Sequence, residues 1–375
     1  MRSLIVASAL LLLFCLPNYI FAQDFAWAKS FGGSFSEVNI YGVSSDSKGN
    51  VYISGFFDYT VDFDPGAGTS LHTSQGNTDI FVSKLDPMGN LIWVKTIGGT
   101  GKDISARMKL DKDGNLLITG TFSNTVVFPN AAANITLTAT SSAADVFFAK
   151  IDTNGNTMWV KQIAVTGLSD GRGITYDKKG NLYLAGFYSG TANFDPSSST
   201  SIYSSSNLES YIIKYDSSGS FQWVKRFNGQ YNNRIFSIAI DDIGSIYTVG
   251  CFRGTTDFDP GNTVYNLTGH GVYDPFVCKL DSAGNFIWAK KFGGSGNNVG
   301  KSLELDSKGN VYIAGHFQGL ADFDPSLTVL NLQASGAFDV FMLKLDSSGN
   351  LNWAKQLNGS GVEYNYDAVM SNNDE

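Results

Sequence analysis

Three pairs of aspartates, each pair two residues apart, are the first places where chemistry can be sought: Asp62 and Asp64, Asp257 and Asp259, Asp322 and Asp324. Each sits in a D-F-D-P stretch. Asn193 and Asp195 form a near match, and VVFPN stands in the corresponding place once, without either carboxylate. Carboxylates so spaced in a loop project to one side and, with loop carbonyls, offer hard oxygen ligands to Ca²⁺. These six aspartates are therefore candidate calcium ligands. They serve equally well as turn caps, with the proline stiffening the turn and the phenylalanine buried beneath. DKDGN at 111–115 opens like an EF-hand loop, but the acidic twelfth ligand is absent and the strand-like LLITGTF follows, so it reads as a hairpin turn.

Cations recur as well. Arg107, Arg172, Arg234 and Lys301 stand near the start of equivalent runs, where they are candidates to ring an anionic ligand if those runs line a channel. Their alignment slips by a residue or more between copies, and pairing with nearby Asp103 and Asp170 is the alternative. The histidines, His72, His270 and His316, show no metal-ligand spacing, and no nucleophile elbow, phosphate loop or dinucleotide fingerprint occurs. No catalytic residues are expected. Carboxylate pairs for glycoside hydrolysis, drawn together from distant copies, keep a carbohydrate-active hydrolase or lyase as the alternative.

What must position these side chains is a repeat. Trp27, Trp93, Trp159, Trp223, Trp288 and Trp353 are all six tryptophans of the chain, spaced 66, 66, 64, 65 and 65 apart. Five complete units span about 38–97, 103–163, 169–227, 233–292 and 298–357, with partial units at 23–33 and 362–375. Each unit has four runs. The second (VYISGFF, LLITGTF, LYLAGFY, IYTVGCF, VYIAGHF) and third (IFVSKL, VFFAKI, YIIKY, PFVCKL, VFMLKL) are β-branched and aromatic with alternation, which predicts strands. Runs one and two, and runs three and four, are joined by five-residue turns such as DSKGN and DSSGN. There Asp caps the turn and Gly takes the left-handed position. The links from run two to run three, beginning FDP, are longer and variable. Those from run four to the next run one are glycine-rich.

Four antiparallel strands repeated at a fixed period predict an all-β chain, a β-propeller of four-stranded blades with tryptophan and phenylalanine packed between them. The pattern G-x-F…FDP…D-x-F-x-x-K-L-D-x-x-G-N-x-x-W-x-K resembles the SBBP repeat of bacterial secreted β-propeller proteins. Gly315, Phe317, Phe323, Asp324, Pro325, Asp339, Phe341, Lys344, Leu345, Asp346, Gly349, Asn350, Trp353 and Lys355 carry it in the last full unit. The resemblance implies a secreted repeat propeller and makes a C-terminal sorting or anchoring domain plausible. Against a closed ring stand the partial ends, which supply only two of four strands. The expectation is a fragment of a longer gene, with the missing C-terminal region lying beyond; a six-position ring with one half-blade is the alternative.

Residues 1–22 read as a secretory signal peptide: Arg2, an apolar Leu4–Leu16 core and Phe21-Ala22 before Gln23. No transmembrane segment is expected elsewhere. The full chain has 26 basic and 34 acidic residues; without Arg2 the balance is 25 against 34, or −9. That argues against nucleic acid as a partner. Cys251 and Cys278 fall on neighbouring runs, where either a cross-strand disulfide or two separate packed thiols fits. Strand alternation puts every short turn on one face and every long variable loop on the other, and variable loops on a rigid scaffold are where binding concentrates. The expected function is a secreted or cell-surface scaffold that binds a glycan, surface polymer or protein through its long-loop face. A structural spacer within a larger surface protein is a further alternative.

Overall fold

A computed structural model describes residues 27–33, 36–195, 197–198, 200–365 and 367–368; the signal-peptide reading lies outside them. The described residues hold strands and turns and no helix. The fold is a β-propeller with five complete four-stranded antiparallel blades. Blade one comprises Val38–Ser45, Val51–Phe57, Asp79–Leu85 and Leu91–Ile97; blade two Ile104–Leu110, Leu116–Phe122, Asp145–Ile151 and Thr157–Val165. Blade three comprises Ser169–Tyr176, Leu182–Asn193, Ile202–Tyr215 and Phe221–Gly229; blade four Asn233–Ile240, Ile246–Phe252, Asp274–Leu280 and Phe286–Lys291. Blade five comprises Val299–Leu305, Val311–Phe317, Asp339–Leu345 and Leu351–Leu357. First strands of consecutive blades adjoin one another, so they line the axis and the tryptophan strands lie outermost.

The short turns form as their residues dictate. Asp111 Oδ1 accepts the backbone N–H of Asp113 (2.9 Å) and of Asn115 (2.8 Å), and Gly114 sits at φ +80°. DKDGN is thus a hairpin turn, and Asp46, Asp86, Asp152, Asp177, Asp281, Asp306 and Asp346 build the same one. The recurrent lysine of the third strand has a packing role. Lys84, Lys214, Lys279 and Lys344 lie over Tyr52, Tyr183, Tyr247 and Tyr312 at 4.8, 5.1, 4.7 and 4.6 Å from the ring centres. Blade two has Leu117 in place of the tyrosine, and Lys150 instead meets Asp111 at 2.8 Å.

Blades are fastened by side chain and backbone together. The Trp27 indole N–H donates to Pro87 O (3.0 Å), Trp93 to Thr153 O (3.1 Å) and Trp288 to Ser347 O (3.3 Å), in each case reaching a turn of the following blade. Gly155 in that turn, at φ +83°, leaves no room for a Cβ: one would lie 2.8 Å from Lys95 Cγ and 3.2 Å from Trp93 Cε3. On the opposite face the end of a fourth strand, or the residues just after it, pairs with the opening of the next blade's second-to-third link, as in Ala164↔Asn193, Asn228↔Asp257 and Gly293↔Asp322. The long second-to-third links therefore hold a short extra hairpin, for example Thr60–Asp62 with Leu71–Thr73, that bridges two blades. The diglycine and FDP segments share one rim, as strand alternation requires. Among the described residues the 27–33 segment bridges Asp62 and Val362 bridges Phe338; the two terminal segments are not paired with each other.

Cys251 stands opposite Pro275 and Cys278 opposite Thr248, so the two thiols are separate, buried and free. Burial pushes the Cys251 thiol up to about 12 and that of Cys278 well up too.

Candidate functional site

The paired aspartates of the long loops are engaged with their own backbone. Asp62 Oδ1 accepts the N–H groups of Asp64 (3.0 Å) and Ser70 (2.8 Å). Asp257 Oδ1 does the same for Asp259 (3.0 Å) and Tyr265 (2.8 Å), and Asp322 Oδ1 for Asp324 (3.0 Å) and Leu330 (2.9 Å). The second aspartate in turn caps the amide two residues beyond itself. Asp64, Asp259 and Asp324 accept from the amides of Gly66 (2.7 Å), Gly261 (2.8 Å) and Ser326 (2.9 Å). Asp259 also takes the hydroxyl of Thr263, and Asp324 that of Thr328. The amides of Ser70 and Asp64 hold the Asp62 carboxyl below its ordinary range. At Asp324 burial acts upward, but hydrogen bonds from Thr328 and Ser326 outweigh it. Beneath each loop the phenylalanine is fully buried: Phe63, Phe258 and Phe323 pack edge-on against Phe57, Phe252 and Phe317. No group of three or more His, Cys, Asp or Glu side chains placed to hold a metal occurs among the described residues.

The four cations are gathered where the sequence alignment slips. Every first strand carries a β-bulge opposite the glycine of the second strand (Gly55, Gly120, Gly186, Gly250 and Gly315). The extra residue there is Tyr41, Ala106, Arg172, Phe236 or Lys301. A bulge sets two residues against one and re-aims their side chains. Arg172 and Lys301 are bulge residues, Arg107 follows one and Arg234 precedes one by two. From these staggered positions the three arginines all act electrostatically on Lys301. Burial, and after it repulsion from Arg172, Arg107 and Arg234, brings the Lys301 ammonium down to about 8, with Cys251 acting the other way.

Their partners differ. Arg172 Nη2 and Nε both meet Asp170 Oδ2 at 2.6 Å, the pairing its sequence neighbourhood suggests. Asp103 does not pair with Arg107; Arg107 Nη1 lies 3.7 Å from Asp367 Oδ2 and 3.5 Å from Tyr41 O. Arg234 lies over the rings of Phe187 (5.6 Å) and Tyr273 (5.4 Å), and Lys301 Nζ over Phe236 (4.0 Å). His316 stands beside the cluster. Burial, then the Lys301 charge, brings its imidazole down to about 4, so it is neutral at pH 7.

A pair of buried carboxylates has no signal in its own sequence neighbourhoods. Asp79, which opens the third strand of blade one, and Asp103, just before the first strand of blade two, are both fully buried. Asp79 Oδ2 accepts Gln75 N and Asp103 Oδ2 accepts Gly99 N, each at 3.0 Å, while both Oδ1 atoms lack a partner. Burial, then the Asp79 charge, pushes the Asp103 carboxyl up to about 8, and burial raises Asp79 as well. The other joints show why. Where blade one meets two with Asp103, the equivalent positions hold Ser169, Asn233 and Asn298. On the axis, burial raises Glu304; Lys109 opposes that rise, and the charge of Asp367 adds to it.

No family model matches the chain. An uncharacterized WD repeat-containing protein of Acanthamoeba polyphaga mimivirus is 24% identical over 400 residues, covering 85% of this chain and 28% of that protein. The regulatory protein FlaEY of Caulobacter vibrioides is 23% identical over 139 residues, covering 37% of this chain and 14% of that protein. The chain thus spans well under a third of the length of either relative. Among solved structures, a Bacteroides caccae protein of unknown function aligns with TM-score 0.36 at 10% identity, over 74% of this chain and 90% of that one. The extracellular domain of a protein assigned as a hybrid two-component system in Bacteroides thetaiotaomicron aligns with TM-score 0.26 at 12% identity, over 88% and 54%. A repeat β-propeller is the class that the blades and the WD-repeat relative define together.

Proposed function

We propose that the chain is an exported propeller, secreted or held at the cell surface, that acts as a non-catalytic binding scaffold through the rim of its long loops. Export rests on the reading of residues 1–22, and the SBBP-type repeat is the finer classification that the unit pattern supports. The observation carrying the proposal is where exposed apolar side chains stand. Leu327, Val329, Leu330, Val264, Tyr265, Leu71 and Tyr59 all lie on second-to-third links of that rim, whereas the short turns expose Met88 and Ile243, with Ile92, Met158 and Ile287 on the outer strands beside them. Apolar side chains on loops of a rigid scaffold are the ordinary make-up of a contact surface. Screening Gln23–Glu375 against glycan and protein arrays tests this, beside a variant carrying Leu327→Asp and Val329→Asp and with EDTA present or absent. Binding abolished by the rim substitutions supports the reading. Binding to nothing, or binding indifferent to them, refutes it. A second reading, a carbohydrate-active hydrolase or lyase, draws on the raised Glu304 carboxyl and its neighbour Asp367. Polysaccharide cleavage lost in Glu304→Gln would establish it.

A further inference from the structure

Resting on that binding reading and narrowing it, we propose that the axial end of the long-loop rim receives an acidic peptide segment. A carboxylate side chain of that peptide is held by Arg107, Arg172, Arg234 and Lys301.

Four consecutive blades each send one cation to this place, in a chain whose overall charge is negative. Two carboxylates answer them: Asp170 on Arg172 and Asp367 on Arg107. Arg234 and Lys301 lie on aromatic faces instead, and Arg234 Nε is buried without a hydrogen-bond partner. A cation on a ring face keeps donors available, and a carboxylate arriving between Arg234 and Lys301 gains charge-assisted hydrogen bonds where water is largely excluded. The aromatic walls also lower the local dielectric, which strengthens that attraction.

The kind of ligand is indicated by what already sits there. Val362 bridges Phe338 in the parallel sense, as Lys102 bridges Thr78 and Asn297 bridges Tyr273 at earlier joints. Glu363 follows with its N–H donating to Phe338 O (3.0 Å), and Asp367 lies at Arg107. The Asp367 side chain is 51% exposed and lies 3.7 Å from Arg107 Nη1, so a carboxylate reaches this guanidinium from the solvent side. An aspartyl side chain on a peptide is thus the ligand chemistry that Arg107, one of the four cations, accepts from the chain itself.

The test uses a fluorescein-labelled hexapeptide, Val-Glu-Tyr-Asn-Tyr-Asp, read by anisotropy against Gln23–Glu375 with and without Asp367→Asn. We expect the peptide to bind the Asp367→Asn chain severalfold more tightly than the unsubstituted one. Its Gln/Asn counterpart should bind about tenfold more weakly, and Lys301→Met and Arg234→Gln should each cost a similar factor. Melting curves confirm that both variants are folded, and Lys301→Arg should restore binding. Equal binding of the amide peptide, indifference to the Arg234 and Lys301 changes, or oligogalacturonate competing as well as the peptide would each overturn the proposal. Loss of peptide binding with rim-dependent array binding intact overturns the axial assignment alone; loss of both removes the binding reading with it.

Discussion

Replacing Asp103 by Asn tests whether the joint between blades one and two is strained by charge. The Asp103 carboxyl is fully buried beside Asp79 and is raised from 3.8 to about 8. A carboxyl raised in the folded state is protonated there while the unfolded chain has already released its proton. Folding then takes up a proton between the two values, so stability is full below about pH 4 and is lost as pH rises towards 8. The slope is about 1.4 kcal/mol per pH unit, which by pH 7 amounts to a ceiling of about 4 kcal/mol. Relaxation of the joint and sharing of one proton with Asp79 reduce this, so about 2 kcal/mol is the working figure. Asp103→Asn removes the titration and places at this joint the residue type that Asn233 and Asn298 supply elsewhere. Asn298 Oδ1 accepts Gln318 N at 3.1 Å and its Nδ2 reaches Gly294 O and Gly296 O at 3.4 Å, a satisfied arrangement. Urea unfolding at pH 5, 7 and 8.5 is the assay. The variant should gain on the parent by about 2 kcal/mol between pH 5 and pH 8.5. A parent–variant difference that stays constant with pH, or one that moves against the variant by pH 8.5, would refute the account of this joint.

Other expectations follow from single positions. Tyr59 (φ 50°) and Asn124 (φ 58°) hold the left-handed place that Gly190, Gly254 and Gly319 occupy in the other blades, so Tyr59→Gly should raise stability by up to about 1 kcal/mol in thermal melts. Gly155→Val should cost upward of about 2 kcal/mol, since its side chain would strike Trp93 and Lys95 of the preceding blade from a strained backbone. Trp93→Phe keeps the packing but leaves Thr153 O without the indole donor and should cost about 1 kcal/mol by urea unfolding. Asp257→Ala frees the amides of Asp259 and Tyr265 and should cost about 1–2 kcal/mol. If capping is the whole role of these aspartates, 5 mM or so of CaCl₂ or EDTA leaves the melting temperature unchanged; a calcium-dependent rise lost in Asp257→Ala would instead make them ligands.

The strands were legible because their signals are local. A tryptophan every 65 residues or so, Asp and Gly at fixed turn positions and alternating β-branched runs each act within a few residues of themselves. Strand alternation then assigns loops to faces without coordinates, and the pairing of Asn228 with Asp257 agrees with it. The role of Asp257 as a cap was one of two readings, because a carboxylate two residues before another suits both a turn and a cation. Only the positions of the amides it accepts bring the turn into view.

What the tertiary structure alone decided are meetings between residues far apart in the chain. Asp79 and Asp103 face each other because one blade's third strand abuts the next blade's first, and nothing in either neighbourhood announces it. Arg234 and Lys301 sit out of alignment by two residues, yet bulges opposite Gly250 and Gly315 turn them towards the same axis. A repeat fixes each blade through interactions of short range. The chemistry of a ring depends on how five nearly identical blades are set against one another, and that is settled by packing.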